Sequence, residues 1–458
     1  EVARASNSLA ARAALSADPL ALPAGQRRLL CTTGSTHSTA HSTMSAAIVE
    51  VCLRPESTAQ PDAVKAHINQ LLAQHGAPLR AGEELDCSAD AGLAAHVRRI
   101  RVAEASSSSA AAPPHVLVHR LYDEEPAEET AAGGGGGDDE AVAFQNWLLP
   151  AVEFDGLWET LVFEEEIKGR LLRYVSTAMR FAELGVDGNV IAWNRVVLLH
   201  GPPGTGKTSL CKALAQKLAI RLSGTYAQGQ LVEVNAHSLF SKWFSESGKM
   251  VMGLFARIRE ILDDGDAFVC VLIDEVESLT AARKAALGGS EPSDAVRVVN
   301  ALLTQIDALR RYKNALVLTT SNLTGAIDAA FVDRADIKQY IGPPRVAARY
   351  QILASCAHEL RRAAVLADFG DLLPHASVAP LLGATPPTFA QVAALRVEGA
   401  SASAPRHSMM LERVAELCDG LSGRALRKLP FLAHANLVAS PATVSLEAFL
   451  DALHRSAA

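Results

Sequence analysis

No apolar run in this 458-residue chain approaches the roughly 20 residues needed to cross a bilayer as a helix. Basic residues are not in excess: 43 Lys and Arg stand against 50 Asp and Glu, a net charge of −7. That balance argues against a dominant nucleic-acid-binding surface. Paired cysteines are missing too. Cys31, Cys52, Cys87, Cys211, Cys270, Cys356 and Cys418 include no C-x-x-C spacing and no even framework, the pattern expected of reduced thiols in an intracellular protein. His200, His237 and His434 lack metal-ligand spacing and read as packing or surface residues. What the chain does hold is apolar content, 49% of its residues, enough for two or three domains with sizeable cores.

The most informative stretch is Gly201, Pro202, Pro203, Gly204, Thr205, Gly206, Lys207 and Thr208, a complete phosphate-binding loop. The buried-strand run Val196–Leu199 precedes it, and Ser209 opens a segment with helical apolar spacing that runs to Leu218. Gly204 and Gly206 let successive N–H groups turn inward around phosphates, and the helix start adds its partial positive charge. Lys207 reaches the terminal phosphates, and the Thr208 hydroxyl suits a Mg²⁺ ligand. The pattern predicts ATP and Mg²⁺ as cofactors.

A second motif lies downstream. Phe268–Ile273 is a continuous apolar run, as expected of a parallel strand covered on both faces, and it ends in Asp274 and Glu275. Asp274 can hold the Mg²⁺ shell and Glu275 can orient and deprotonate an attacking water. Alone, the pair could equally close a strand and cap the next helix; beside a phosphate loop the chemical reading is favoured. Ala315–Leu318 predicts a third strand, running into Thr319, Thr320, Ser321 and Asn322. Asn322 is either a polar reader of the terminal phosphate or an ordinary turn residue. Arg334, among acidic neighbours, can neutralise charge on a transferring phosphoryl group or form a solvated ion pair.

Taken together with Gly420-Leu-Ser-Gly-Arg424, these motifs resemble an AAA+ ATPase. The stretches 239–248, 272–283, 291–297, 331–340 and 421–434 are similar to the pachytene checkpoint protein 2 family, also called thyroid receptor-interacting protein 13. The resemblance covers 141–360 and 415–450 closely and 45–123 more distantly. It implies a remodelling ATPase that converts closed HORMA-domain proteins of meiotic chromosome axes and the spindle checkpoint to an open form, directly or through a HORMA-like adaptor. It further implies a homo-oligomeric, hexameric ring in the nucleus and on chromosomes with a cytoplasmic pool, and no direct nucleic-acid partner. By the same resemblance Asn322 is a first sensor, Arg424 a second sensor, and Arg334 an arginine finger acting on a neighbouring subunit. Lys242, Trp243 and Phe244 resemble a first pore loop, where a large amphipathic ring grips a threaded backbone. Core packing is the other fate open to these aromatics. Gly288–Glu291 falls where a second pore loop would lie.

The expected fold is a three-layer α/β P-loop AAA+ core over 141–345, a helical lid over 346–458 and a separate N-terminal α+β domain over 45–123. Residues 1–44, rich in Ala, Ser and Thr, read as a disordered extension, with a targeting peptide and a start at Met44 as alternatives. The Ser106–Ala112 tract reads as a loop insertion. Residues 124–140 read as an acidic, Gly-rich linker about which the N-terminal domain can swing. Trp147, Phe154 and Trp158 are expected to dock an entry helix, one of them near the adenine. The Pro-, Ala- and Ser-rich stretch 373–408 reads as a surface insertion. Two other functions compete with the motor: a nucleotide-gated scaffold that recruits HORMA partners without pulling on them, and a DNA-acting ATPase of the clamp-loader type, which the acidic balance disfavours.

Overall fold

The computed structural model describes residues 46–74, 78–105, 113–130, 142–235, 247–278, 294–322, 327, 329–383, 385–395, 400–438 and 443–458. Residues 1–44, the Ser106–Ala112 tract, the glycines 133–137, the Lys242, Trp243 and Phe244 segment and Gly288–Glu291 lie outside the described residues.

The N-terminal sheet is built from β1 (Ile48–Leu53), β2 (Glu84–Leu85), β3 (Val97–Glu104) and β4 (His115–His119), with helices α1 (Pro61–Gln74) and α2 (Ala91–Ala94) between strands. Strand order is β2-β3-β1-β4, with β1 antiparallel to β3 and parallel to β4. Strand alternation sorts the two faces. Val49, Val51 and Leu53 pack with Val64, Ile68 and Leu72 of α1, while Glu50 and Cys52 point the other way.

The large sheet takes β5 (Ala127–Thr130), β6 (Val142–Leu149), β7 (Val196–His200), β8 (Gln228–Asn235), β9 (Ala267–Asp274), β10 (Ala315–Ser321) and β11 (Ile337–Tyr340) in the order β11-β7-β10-β9-β8-β6-β5. The five strands β8, β9, β10, β7 and β11 run parallel, and β5 and β6 are antiparallel additions at one edge. The helices of this region are α3 (Leu157–Thr160), α4 (Glu165–Glu183), α5 (Lys207–Arg221), α6 (Ser247–Asp263), α7 (Asp294–Leu309) and α8 (Ala329–Arg334). Both sheet faces are apolar and both are covered, which explains the unbroken apolar runs of β7, β9 and β10. On one face Val269, Val271 and Ile273 meet Phe255 and Ile258 of α6 and Leu302 and Ile306 of α7. On the other, Phe268, Cys270 and Leu272 meet Val175 and Met179 of α4 and Leu210 and Leu214 of α5.

A third body follows, made of α9 (Val346–Arg362), α10 (His375–Leu382), α11 (Phe389–Ala393), α12 (Ala400–Leu417), α13 (Gly423–Ala433) and α14 (Leu446–Ala457) around Tyr350, Leu353, Leu411, Val414, Leu426 and Phe449. This is the three-layer core with a helical lid and an N-terminal α+β unit that the sequence predicts.

Two expectations are corrected. The stretch 373–408 is no surface insertion: its described part supplies α10, α11 and the start of α12, and Val378 and Val392 are fully buried in the lid core. The acidic stretch 124–140 is not linker throughout, because residues 127–130 pair with β6 as the sheet's edge strand. Of the three aromatics, Trp147 lies on β6, Phe154 on a short 3₁₀ turn with its ring 5.0 Å away and Trp158 on α3, and all three pack in one cluster with Leu171, Val175 and Met179 of α4.

The N-terminal sheet also does not hang free. Its polar face sits on α5 and the 152–160 turns, where Lys217 Nζ lies 2.5 Å from Glu50 and 2.9 Å from Glu159. Arg99 pairs with Asp155 and Arg221 with Glu104, each at 2.5 Å. Burial, with Lys217 and Arg99 adding to it, holds His119 neutral, its pKa pushed down to about 4. Covered by the large sheet on one side and this domain on the other, α5 is buried almost all round, which is why its apolar residues show no single stripe. Lys217→Met should therefore strand the buried Glu50 carboxylate and destabilise the fold by about 3–5 kcal/mol. Denaturant unfolding checks this, with hydrogen exchange expected to rise along β1; unchanged stability and exchange would show the lock to be energetically idle.

Candidate nucleotide site

The phosphate loop sits at the C-terminal edge of β7, where chain order reverses between β7 and β10 and an open α/β sheet leaves a crevice. Pairing register brings His200 of β7 level with Ser321 of β10, and Thr319 of β10 level with Ile273 of β9. Residues far apart in the chain thereby converge on one edge.

Two glycines are demanded by contact. Gly201 has φ 148°, and a Cβ there would stand 2.1 Å from the Ile341 carbonyl oxygen. Gly204, at φ 77°, would place its Cβ 2.8 Å from Ser422 Oγ on the lid. The lid reaches the loop through the backbone as well: the Arg424 N–H donates to the Gly204 carbonyl at 3.0 Å. Ser422 caps α13 by accepting from the Ala425 N–H at 3.3 Å, so the Leu-Ser-Gly-Arg segment starts a helix and docks it on the phosphate loop at once.

Lys207 donates to the carbonyls of Gly201 at 3.0 Å and Pro202 at 2.9 Å. Burial pushes its pKa down, against the pull of Glu277, Asp274 and Glu275. The Thr205 hydroxyl closes the turn on the Pro202 carbonyl at 3.0 Å. Pro203 is exposed, and Gly206 precedes Lys207 as the helix cap in the left-handed region, with Thr208 and Ser209 in the first turn of α5. The Thr208 hydroxyl donates to Asp274 Oδ1 at 2.9 Å, which brings together the two residues named for Mg²⁺. These are hard oxygen donors, and such a pair fits that ion.

Glu275 adopts φ 58°, a left-handed conformation that a non-glycine residue holds only when its surroundings impose it. Its N–H is received by Thr320 Oγ1 at 3.2 Å, and the next N–H, of Val276, by the Thr320 carbonyl at 3.0 Å. Asn322 Nδ2 donates to Glu277 at 2.8 Å and stands 3.4 Å from Glu275. Arg424 lies close enough to oppose the charge of Lys207. Arg334 is placed elsewhere. Its guanidinium forks onto Asp307 of α7 at 2.9 and 2.8 Å and donates to the Ala330 carbonyl at 2.6 Å.

Beside the loop, between core and lid, opens a cavity of about 550 Å³ lined in part by Phe163, Ile167, Thr205, Ile341, Ile352 and Gly423. Its lining is mixed, with Glu164, Glu166, Arg170, Gln339 and Arg345 beside the apolar residues, and a cavity of this size next to a phosphate cradle has room for a purine ring. None of Trp147, Phe154 or Trp158 lines it; the aromatics that do are Phe163 and Tyr340, which the sequence reading did not name for this role. Glu277 and Thr320 were missed as well.

Family profiles match along the chain: the TRIP13 N-terminal domain over residues 42–119, the ATPase family associated with various cellular activities over 197–343, and the TRIP13-like AAA+ ATPase lid C-terminal domain over 345–458. A pachytene checkpoint protein 2 homolog from Xenopus tropicalis is 56% identical over 314 residues, 69% of each chain. One from Oryza sativa subsp. indica is 47% identical over 416 residues, 89% of this chain and 86% of the relative. This chain belongs to the pachytene checkpoint protein 2 family. The solved structure of C. elegans PCH-2 superposes with a TM-score of 0.70 at 32% identity, covering 90% of this chain and 98% of that one. A member of this AAA+ family is an ATPase and binds nucleotide.

Proposed function

We propose that the chain couples ATP hydrolysis to the opening of closed HORMA-domain proteins, as a ring of identical subunits. The observation that carries the reading is the convergence, at one sheet edge, of Lys207, Thr208, Asp274, Glu275 and Asn322 with Arg424 supplied by the lid. Core and lid both touch the phosphate loop, so a change in bound phosphate alters the angle between them.

In this mechanism the backbone N–H groups of 204–208 and Lys207 bind the phosphates, and the cavity beside the loop holds the base. Mg²⁺, where bound by Thr208 and Asp274, supplies charge neutralisation at the β- and γ-phosphates. Glu275 takes the proton of the water whose oxygen attacks the γ-phosphorus as the bond to the bridging oxygen breaks. Asn322 orients that water or reads the terminal phosphate, and Arg424 senses the same phosphate from the lid. Arg334, presented on Asp307 and away from its own chain's loop, serves a neighbouring subunit. The substrates in this reading are HORMA-domain proteins of meiotic axes and the spindle checkpoint, met through a HORMA-like adaptor where one is needed, and the place of action is the nucleus and chromosomes with a cytoplasmic pool.

The test is direct. The purified protein is mixed with a closed HORMA-domain protein and ATP, and conversion to the open form is followed by ion exchange or NMR. Conversion that needs hydrolysable ATP supports the motor; binding without conversion supports the scaffold instead. Trp243→Ala then examines the grip. With Trp243 in the pore, melting temperature and basal ATPase stay near wild type while conversion falls sharply. A packed Trp243 would leave a cavity costing about 3–5 kcal/mol and lower the melting temperature. A stable variant with full conversion removes the pore-loop assignment.

A further inference from the structure

Thr320 is only 2% exposed, yet its hydroxyl is committed twice. It donates to Asp274 Oδ1 and accepts from the Glu275 N–H. With its own carbonyl receiving the Val276 N–H, this one residue of β10 holds three consecutive residues at the end of β9. A hydroxyl carries one hydrogen and two lone pairs, so both side-chain roles can be filled together. Valine has the same shape and can fill neither. Asp274 Oδ1 therefore receives two hydroxyls from different directions in the fold, Thr208 from the phosphate loop and Thr320 from within the sheet. Thr208 is partly exposed and belongs to the nucleotide; Thr320 is buried.

We propose that Thr320 is a positioning residue for ATP hydrolysis. Its hydroxyl fixes the Asp274 carboxylate from the sheet and pins Glu275 in its left-handed turn, so that both carboxylates are set before nucleotide arrives. Without it Asp274 keeps only the phosphate-loop hydroxyl, and the Glu275 N–H loses its acceptor, which frees the turn to relax toward an ordinary backbone conformation. The inference rests on the roles given to Asp274 and Glu275 above.

Thr320→Val, Thr320→Ala and Thr320→Ser are compared by ATPase kinetics, by binding of fluorescent mant-ADP across a Mg²⁺ titration and in EDTA, and by melting temperature. Valine and alanine should lower kcat about 10–100-fold and raise the Mg²⁺ concentration for half-maximal mant-ADP binding by a similar factor. KM for ATP and the mant-ADP affinity in EDTA should hold, because the phosphate loop is untouched. Serine should restore both kcat and the Mg²⁺ response, since the hydroxyl is what matters. Wild-type kcat and Mg²⁺ response in the valine and alanine variants would overturn the proposal, as would serine failing as badly as alanine. Should the valine variant not fold, the serine and alanine pair alone decides. Glu275→Gln run alongside separates the two levels: if it is inactive while Thr320→Val is normal, only this inference falls; if it is active, the reading of the site falls with it.

Discussion

Glu275→Gln is expected to bind ATP with near wild-type affinity and to lower turnover by about 10²–10⁴-fold. The contacts that hold phosphate lie elsewhere, on Lys207 and the loop, and Asp274 keeps its bond from Thr208. Glutamine preserves the side chain's length and an oxygen that can still accept from Asn322, so the loss isolates the proton acceptor rather than the local packing. Lys207→Ala should fail one step earlier, at binding. Filter binding of labelled ATP, steady-state turnover and capture of substrate-bound rings on gel filtration separate the two variants. Turnover near wild type in Glu275→Gln would remove Glu275 from the chemistry.

Arg334→Ala should be comparably severe in the assembled protein, about 10³-fold in kcat or more, if its guanidinium completes a neighbour's site. Within its own chain that guanidinium is held on Asp307, at the end of a helix remote in sequence from the phosphate loop. Mixing Arg334→Ala with Glu275→Gln subunits should therefore restore part of the activity. A subunit that lacks the arginine keeps an intact Glu275 and can borrow an arginine from a neighbour that has one. No recovery in verified mixed assemblies would mean the arginine works within its own chain or not at all.

The phosphate loop was legible because strand, loop and helix are contiguous: Val196–His200, the glycines and α5 are neighbours in the chain as well as in space. Asp274 and Glu275 were legible because they close an apolar run at a strand's C-terminal end, whereas Asn322, after three hydroxyl residues, stayed open between a phosphate reader and a turn residue until the family resemblance gave it a role. Thr320 and Glu277 were hidden because their contacts arise from the β9–β10 pairing register and the turn after β9, which no spacing along the chain encodes. Strand β5 was hidden by its own composition, since Glu128 and Glu129 suit an exposed sheet edge as well as they suit a linker. In the 373–408 stretch, Pro380 and Pro405 lie inside helices α10 and α12, where they interrupt the sequence pattern that announces a helix. Small Ala and Ser residues nearby weaken the apolar stripe further. The fastening of the N-terminal sheet was unreadable for a similar reason, as Glu50 and Lys217 stand 167 positions apart.

Helix α5 holds Lys207 and Thr208 at one end and Lys217 and Arg221 at the other, 15 residues or about 22 Å of continuous helix. The phosphate cradle and the seat of the N-terminal domain are thus two ends of one buried rod. Any movement of the large sheet has to carry Glu50 and Glu104 along or break their pairs with Lys217 and Arg221. The lid touches the rest of the chain at Gly204 and Arg424, and also where Arg427 donates to the Thr160 carbonyl and Arg345 pairs with Glu164. A lid that turned at its own helix start would therefore have to let go of Thr160 and Glu164, neighbours of the Glu159 carboxylate that seats the N-terminal sheet through Arg101 and Lys217.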